Sequence, residues 1–222
     1  KIVCISDIAK EKLLEHIGDK YAPGVLTINN GVDVDRFYVA QEAEGLRVAD
    51  TFVTVMVAGF REAKDQDTLI RAIAKLPHQY RLWLVGDGVR RGELESVIVS
   101  AGVEDRVSLL GIRSDVPQVL KSVDVVVMSS HWEGLSLSNI EGMSSGRPFV
   151  ASDVDGLREV TKDYGVLFPH GDAEALANII RKLHDDKAYY ADIAEKCYQR
   201  ALMFDIKKMM DKYEEVYKKL VS

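Results

Sequence analysis

Cysteine is scarce: Cys4 and Cys197 are the two in 222 residues, at opposite ends and with no metal-ligand spacing. That pattern excludes a disulfide scaffold or a cysteine metal site and predicts two reduced packing residues. Long apolar runs are also missing. Stretches such as Val125 to Met128 fall far short of the ~18 residues a membrane-spanning helix needs. There is no low-complexity tract, and 47% apolar with 29% charged residues is the composition of a globular protein. The net charge of -6 is spread along the chain rather than gathered in one acidic tail. It offers no field to recruit nucleic acid, so an anionic ligand needs a local basic site. No initiator Met stands before Lys1, and the chain opens inside an apolar stretch. The expectation is a numbering that begins partway through a longer, cytoplasmic protein.

From about Thr51 short β-branched runs alternate with helical patterns. The runs are FVTVMVA (52 to 58), RLWLV (81 to 85), RVSLL (106 to 110), VDVVVMS (123 to 129), PFVAS (148 to 152) and GVLF (165 to 168). Amphipathic stretches such as Asp67 to Lys75, Arg90 to Ser100 and Ala173 to His184 lie between them. Unalternated runs separated by helices predict an α/β fold, a doubly wound parallel Rossmann-like sheet of six strands, with ligands at the carboxyl ends of strands. Residues 1–45 fit that unit less well. They read as a strand, a helix (Asp7 to Ile17), a second strand (Gly24 to Ile28) and a polar linker, and so as the tail of a preceding α/β domain. Residues 46–205 form the predicted Rossmann-like ligand-binding domain and 206–222 a terminal crossover helix. In that helix Ile206, Met209, Met210, Tyr213, Val216, Tyr217 and Leu220 share one face, predicted to turn toward the core.

The densest cluster of candidate site residues is HWEGLSLSNIEGMSSGRP, residues 131 to 148, after the most apolar strand. Gly134, Ser136 and Ser138 predict a turn, and a short helix runs from Leu137 until Gly146 and Pro148 stop it. A strand, a tight loop and a helix N-terminus make an anion site, because free N–H groups and the helix dipole face whatever lies over the strand end. Glu133 in the loop and Glu141 one turn into the helix are acceptors for the hydroxyls of a sugar or ribose. A second cluster, AGFREAKDQDTL (58 to 69), again follows a strand. There Gly59 permits close backbone approach, and Arg61 and Lys64 put two cations at the strand end.

These segments resemble the family 4 glycosyltransferases of the GT-B fold, whose donor domain carries a Glu, seven residues and a second Glu, here Glu133 and Glu141. The resemblance extends through NGVDVDRF (30 to 37), LVGDG (84 to 88), LLGIRSDV (109 to 116), DGLREV (155 to 160) and GVLFPHGD (165 to 172). It implies a retaining transferase whose donor is a nucleoside diphosphate sugar, UDP-sugar in preference to GDP-sugar, with no further cofactor and no metal. Glu133 then meets the transferred sugar and Glu141 the ribose. Arg61 and Lys64 neutralise the departing diphosphate, Leu135, Ser136 and Leu137 present backbone N–H groups, and the loop at Ile112 and Arg113 meets the base. The acceptor, a glycan, lipid-linked or small molecule, falls to the N-terminal domain, which also offers a route to the inner membrane face. The chain departs from the family at Arg61, two residues after Gly59 where many relatives have it directly after the Gly. Gly142 stands in place of the usual Ala, at about 1 kcal/mol of helix propensity, and Asp155 replaces a common Gly.

Several lookalikes read as structural. Gly86-Asp87-Gly88 lacks the third Gly of a dinucleotide fingerprint. Asp33-Val34-Asp35 and Asp153-Val154-Asp155 resemble a metal-binding DxD but lack a convergent third ligand. His131 and His170 flank the site loops and read as local hydrogen-bonding residues. Rival functions are a nucleotide-sugar epimerase of the same fold, a noncatalytic nucleotide-binding module, and a glycoside hydrolase using Glu133 and Glu141 across ~5 to 9.5 Å.

Overall fold

Runs of aliphatic and β-branched residues with no polar alternation suit strands buried on both faces, and six of them meet in one sheet. In the computed structural model, which describes residues 1–221, the elements are β1 (Ile2–Cys4), α1 (Asp7–Ile17), β2 (Val25–Thr27), α2 (Val34–Tyr38), β3 (Phe52–Val57), α3 (Gln66–Ala74), β4 (Tyr80–Val85), α4 (Arg91–Ser100), β5 (Val107–Gly111), α5 (Val116–Lys121), β6 (Val125–Met128), α6 (Leu137–Ser144), β7 (Phe149–Ser152), α7 (Asp155–Thr161), β8 (Val166–Phe168), α8 (Ala173–Asp185), α9 (Lys187–Leu202) and α10 (Ile206–Val221). Every pairing in the large sheet is parallel, in the order β5-β4-β3-β6-β7-β8. Renumbered within the sheet this is the 3-2-1-4-5-6 order of a doubly wound fold, and the winding reverses between β3 and β6. The α/β class and the six-stranded parallel sheet are as expected. β1 and β2 pair with each other in a separate two-stranded parallel sheet.

The core lies on both faces of the large sheet. β6 and β7 are buried along their whole length, and Leu69, Ile73, Ile140, Met143, Leu176 and Ile180 are fully buried helix residues of the same core. Helix starts follow local chemistry. Asp65 Oδ1 accepts from the Thr68 N–H at 3.3 Å, Asp172 Oδ1 from Ala175 at 2.9 Å and Asp186 Oδ1 from Tyr189 at 2.9 Å. Each caps a first-turn donor that the helix leaves free. Cys4 and Cys197 are free and buried. Burial pushes the Cys197 thiol up to about 12, so it stays a neutral packing group.

Two expectations need correction. Gly142 is not a weak substitute for Ala, because a Cβ there would lie 2.7 Å from the Phe149 ring and 2.9 Å from Val126. The missing methyl is what lets α6 lie directly on β6 and β7. The terminal helix is likewise not core-facing, since none of its residues is buried. Ile206, Met209, Tyr213 and Val216 are half-buried on one side, while Met210, Tyr217 and Leu220 are exposed. The helix begins with a clasp on the early chain: Ile206 N donates to the Val32 carbonyl at 2.9 Å and Val32 N to the Phe204 carbonyl at 3.0 Å. A recess of about 550 Å³ between α10 and the β2 region has Lys1, Leu26, Thr27, Lys212 and Val216 among its walls, away from the switch point. Ser222, the end of the expected 206–222 segment, lies outside the described residues. No helix among the described residues is long and apolar enough to cross a membrane.

Candidate functional site at the switch point

β3 and β6 are neighbours in the sheet, so the loops that leave their carboxyl ends rise side by side. The β3 loop runs through Gly59, Arg61 and Lys64, the β6 loop through Ser130, His131 and Glu133. Lys64 Nζ donates to Glu133 Oε1, and Ser130 Oγ donates to the same oxygen at 2.7 Å. The Glu133 side chain is 10% exposed and that of Lys64 23%, so the pair is largely out of water, where its field on a nearby ligand is least screened. Arg61 differs. It is exposed and makes no side-chain hydrogen bond or ion pair to a described residue, with Nε folded back to 3.9 Å from where a Cβ on Gly59 would stand. The two cations predicted at one strand end are thus one that is engaged and one that is open.

The β6 loop ends in α6. Leu135 is buried and anchors the turn, Ser136 takes the N-cap position at φ -76° and ψ 122°, and its side chain caps no first-turn N–H. The donors of the first turn, at Leu137 and after, therefore have no protein cap and are open to an anion. Glu141, one turn in, is half-buried and makes no hydrogen bond to a described residue. Burial pushes its carboxyl above the usual range, offset in part by the charge of Arg36. Glu133 and Glu141 do not bond each other.

Beside α6 a recess of about 350 Å³ is lined by Gly59, Gly86, Asp87, Ile112, Arg113 and Ser138, among others. Ile112 is 84% exposed at its mouth. Arg113 pairs with Asp115, Nε to Oδ1 at 2.8 Å; that hydrogen bond raises the arginine pKa and holds the aspartate below its usual range. Its guanidinium is therefore a fixed wall rather than a free cation. Gly59, Ile112 and Arg113, from two strand ends far apart in sequence, meet here.

Sequence reasoning missed the residues that hold these loops. Gln66, fully buried, donates from Nε2 to the Gly59 carbonyl at 3.1 Å. Ser129 Oγ donates to the Asp65 carbonyl at 2.8 Å. Gly156 lets α7 press on the β6 loop, because a Cβ there would lie 2.3 Å from the carbonyls of Glu133 and Gly134. Only the adjacent serines after the apolar β6 run hinted at Ser130. The Gly86 and Gly88 pair is explained by backbone crossing, with Cβ positions 2.1 Å from the Ala58 carbonyl and 2.4 Å from that of Phe60. Asp33 caps α2 through Arg36 N at 3.1 Å, and Asp153 binds Arg158, so neither DxD pair needs a metal to account for it. His131 and His170 are not isolated: Nδ1 of the first meets Nε2 of the second, beside Asp65.

A doubly wound, six-stranded parallel sheet in this order is the architecture of GT-B glycosyltransferases, and solved structures of that fold match it. The chain belongs to the family described as glycosyl transferases group 1, which matches residues 51–186. It is 33% identical over 177 residues to the lipopolysaccharide core biosynthesis glycosyltransferase LpsE of Rhizobium meliloti, covering 79% of this chain and 52% of that protein. It is 28% identical over 236 residues to the UDP-Gal:alpha-D-GlcNAc-diphosphoundecaprenol alpha-1,3-galactosyltransferase of Escherichia coli, covering 98% of this chain and 59% of the other. HepE of Anabaena, solved in complex with UDP, matches with a TM-score of 0.89 at 28% identity over 98% of this chain and 63% of that one. The chain spans just over half the length of the curated relatives it matches. These relatives are named as transferases, which gives no support to the epimerase and hydrolase alternatives.

Proposed function

We propose that this chain forms the donor-binding half of a retaining glycosyltransferase that moves a sugar from a nucleoside diphosphate sugar to a glycan, lipid-linked or small-molecule acceptor. The observation that carries this reading is the convergence of the Lys64–Glu133 pair and the uncapped start of α6 at the switch point. Lys64, Arg61 and the N–H groups after Ser136 surround the place where diphosphate charge develops on departure, and stabilising that charge is the main catalytic contribution. Glu133 takes the hydroxyls of the transferred sugar and Glu141 those of the ribose, while the base lies in the recess beside Ile112 and Arg113. A uracil base is favoured because HepE was solved with UDP and the Escherichia coli relative is named for UDP-Gal. Residues 1–45 and α10 belong, in this reading, to the junction with an acceptor domain, through which the whole protein reaches the cytoplasmic membrane face.

Calorimetric titration with UDP, UMP and UDP-glucose tests the assignment. Glu133→Ala is expected to spare UDP and weaken UDP-glucose. Lys64→Ala is expected to weaken UDP more than UMP, by about 10 to 100-fold, the loss of one charge-assisted bond. Equal losses for all three ligands in both variants would overturn this division of roles.

A further inference from the structure

We propose that Asp65, His131 and His170 form a binding site for a divalent transition-metal ion, zinc above others, that ties three loops together beside the donor crevice. Among the described residues this is the one group of three such side chains close enough to share an ion, with one ligand atom from each lying within 4.8 Å of the other two. The three come from different places in the fold. Asp65 ends the β3 loop, His131 stands in the β6 loop two residues before Glu133, and His170 lies in the turn after β8. His131 Nδ1 faces His170 Nε2 and lies 3.9 Å from Asp65 Oδ2. Ligands of a tetrahedral zinc at ~2.0 to 2.2 Å stand ~3.3 to 3.5 Å apart, so small rotations of the two imidazoles admit the ion. His170 is exposed and free to make them.

A second observation points to the same place. Asp65 is 5% exposed, and its Oδ2 is buried with no hydrogen-bond partner among the described residues, although its Oδ1 caps α3 through Thr68 N. A buried carboxylate oxygen with no donor is costly, and a cation at the histidines removes that cost. The aspartate and the His131 loop are held in place before any ion arrives: Ser129 Oγ donates to the Asp65 carbonyl at 2.8 Å, and His131 N donates to the Ala63 carbonyl at 2.8 Å. The Thr68 bond orients the carboxylate as outer-shell partners orient metal ligands. Two imidazoles with one carboxylate select zinc, nickel or copper over magnesium or calcium, and three ligands leave a fourth position for water. Because Glu133 follows His131 so closely, the ion steadies the loop that carries this carboxylate rather than acting on the transferred sugar.

The test uses the whole chain, stripped with a chelator and dialysed. Zinc is titrated calorimetrically, and cobalt is followed by visible absorption, whose intensity reports a tetrahedral site. The expected result is one equivalent of zinc at neutral pH and a higher Tm with zinc than without. His131→Ala and His170→Ala each weaken zinc by ~100-fold or more, beyond the ~10 to 100-fold typical of losing an outer-shell partner. Asp65→Asn, which keeps the cap oxygen, weakens it too. His78→Ala, at an exposed histidine paired with Asp105, leaves it unchanged. No saturable binding, or binding by His170→Ala equal to that of the unaltered chain, would overturn the proposal and leave a metal-free pair of hydrogen-bonded imidazoles. No nucleotide enters the experiment, so its outcome is independent of the donor assignment.

Discussion

At the scale of single residues, Glu141 meets opposing demands. Burial raises its carboxyl above the usual range, so the native state holds the proton more tightly than the unfolded chain does. Ionised Glu141 therefore costs stability in full above its raised native pKa, and the cost fades as pH falls from there toward the unfolded carboxylate range near pH ~4.3. Glu141→Gln is expected to raise Tm at neutral pH by ~1 to 3 °C, an advantage that disappears in acid, while UDP affinity falls about 10-fold or more. Thermal melts across pH, paired with UDP titration, check both halves; a Tm gain that persists in acid would contradict the linkage. The two cations separate in the same way. Arg61 has no side-chain partner among the described residues to lose, so Arg61→Ala is expected to leave stability within ~0.5 kcal/mol yet weaken UDP. Lys64→Ala strands the nearly buried Glu133 carboxylate and is expected to lower Tm as well.

At the scale of elements, two helices owe their position to a missing side chain. α6 rests on the Phe149 ring and Val126 at Gly142, where a Cβ would stand 2.7 Å from the ring. Helix propensity alone predicts that Gly142→Ala gains about 1 kcal/mol. Overpacking against a fully buried ring outweighs it, and the expected outcome is a net loss of ~1 to 3 kcal/mol, read by urea unfolding. α7 is seated by Gly156 under the carbonyls of Glu133 and Gly134, which are backbone and have nowhere to go. Gly156→Ala is expected to displace the β6 loop and so to weaken UDP-glucose about 10-fold or more. Gly134→Ala, where a Cβ meets nothing within 4 Å, serves as its mild counterpart. Comparing the two by calorimetry separates loop displacement from a general effect of added bulk.

At the scale of the whole molecule, a donor bound at the switch point of a single sheet is open on the side away from the strands. Leaving-group charge there is screened by water, and no acceptor is oriented for attack. The 222-residue chain is therefore expected to bind UDP measurably but to transfer no sugar by itself. Joined to an acceptor domain it is expected to transfer with the donor's anomeric configuration kept, as product NMR would show. Robust transfer by this chain alone, or an inverted product from the joined protein, would overturn that reading.

The amino-acid order by itself determined the class of the fold, because unalternated runs such as VDVVVMS are stable only as strands covered on both faces, and their count and spacing are local. It also marked Glu133, Glu141 and Lys64 as candidates, since their signals are a helix start and strand ends read along the chain, whereas Ile112 and Arg113 came only through the family resemblance. α9 left a fainter trace, with Ile193, Cys197 and Ala201 the buried stripe on an otherwise polar helix. Which residues touch was decided only by the tertiary structure. The strand order sets β3 beside β6 and joins Lys64 to Glu133; Gln66, Ser130 and Gly156 act through partners distant in sequence; and two histidines that read separately as local residues meet over Asp65. The terminal helix shows the same limit in reverse. Periodicity finds its apolar face, but burial depends on what packs against that face, and this is a property of the assembled surface rather than of the sequence.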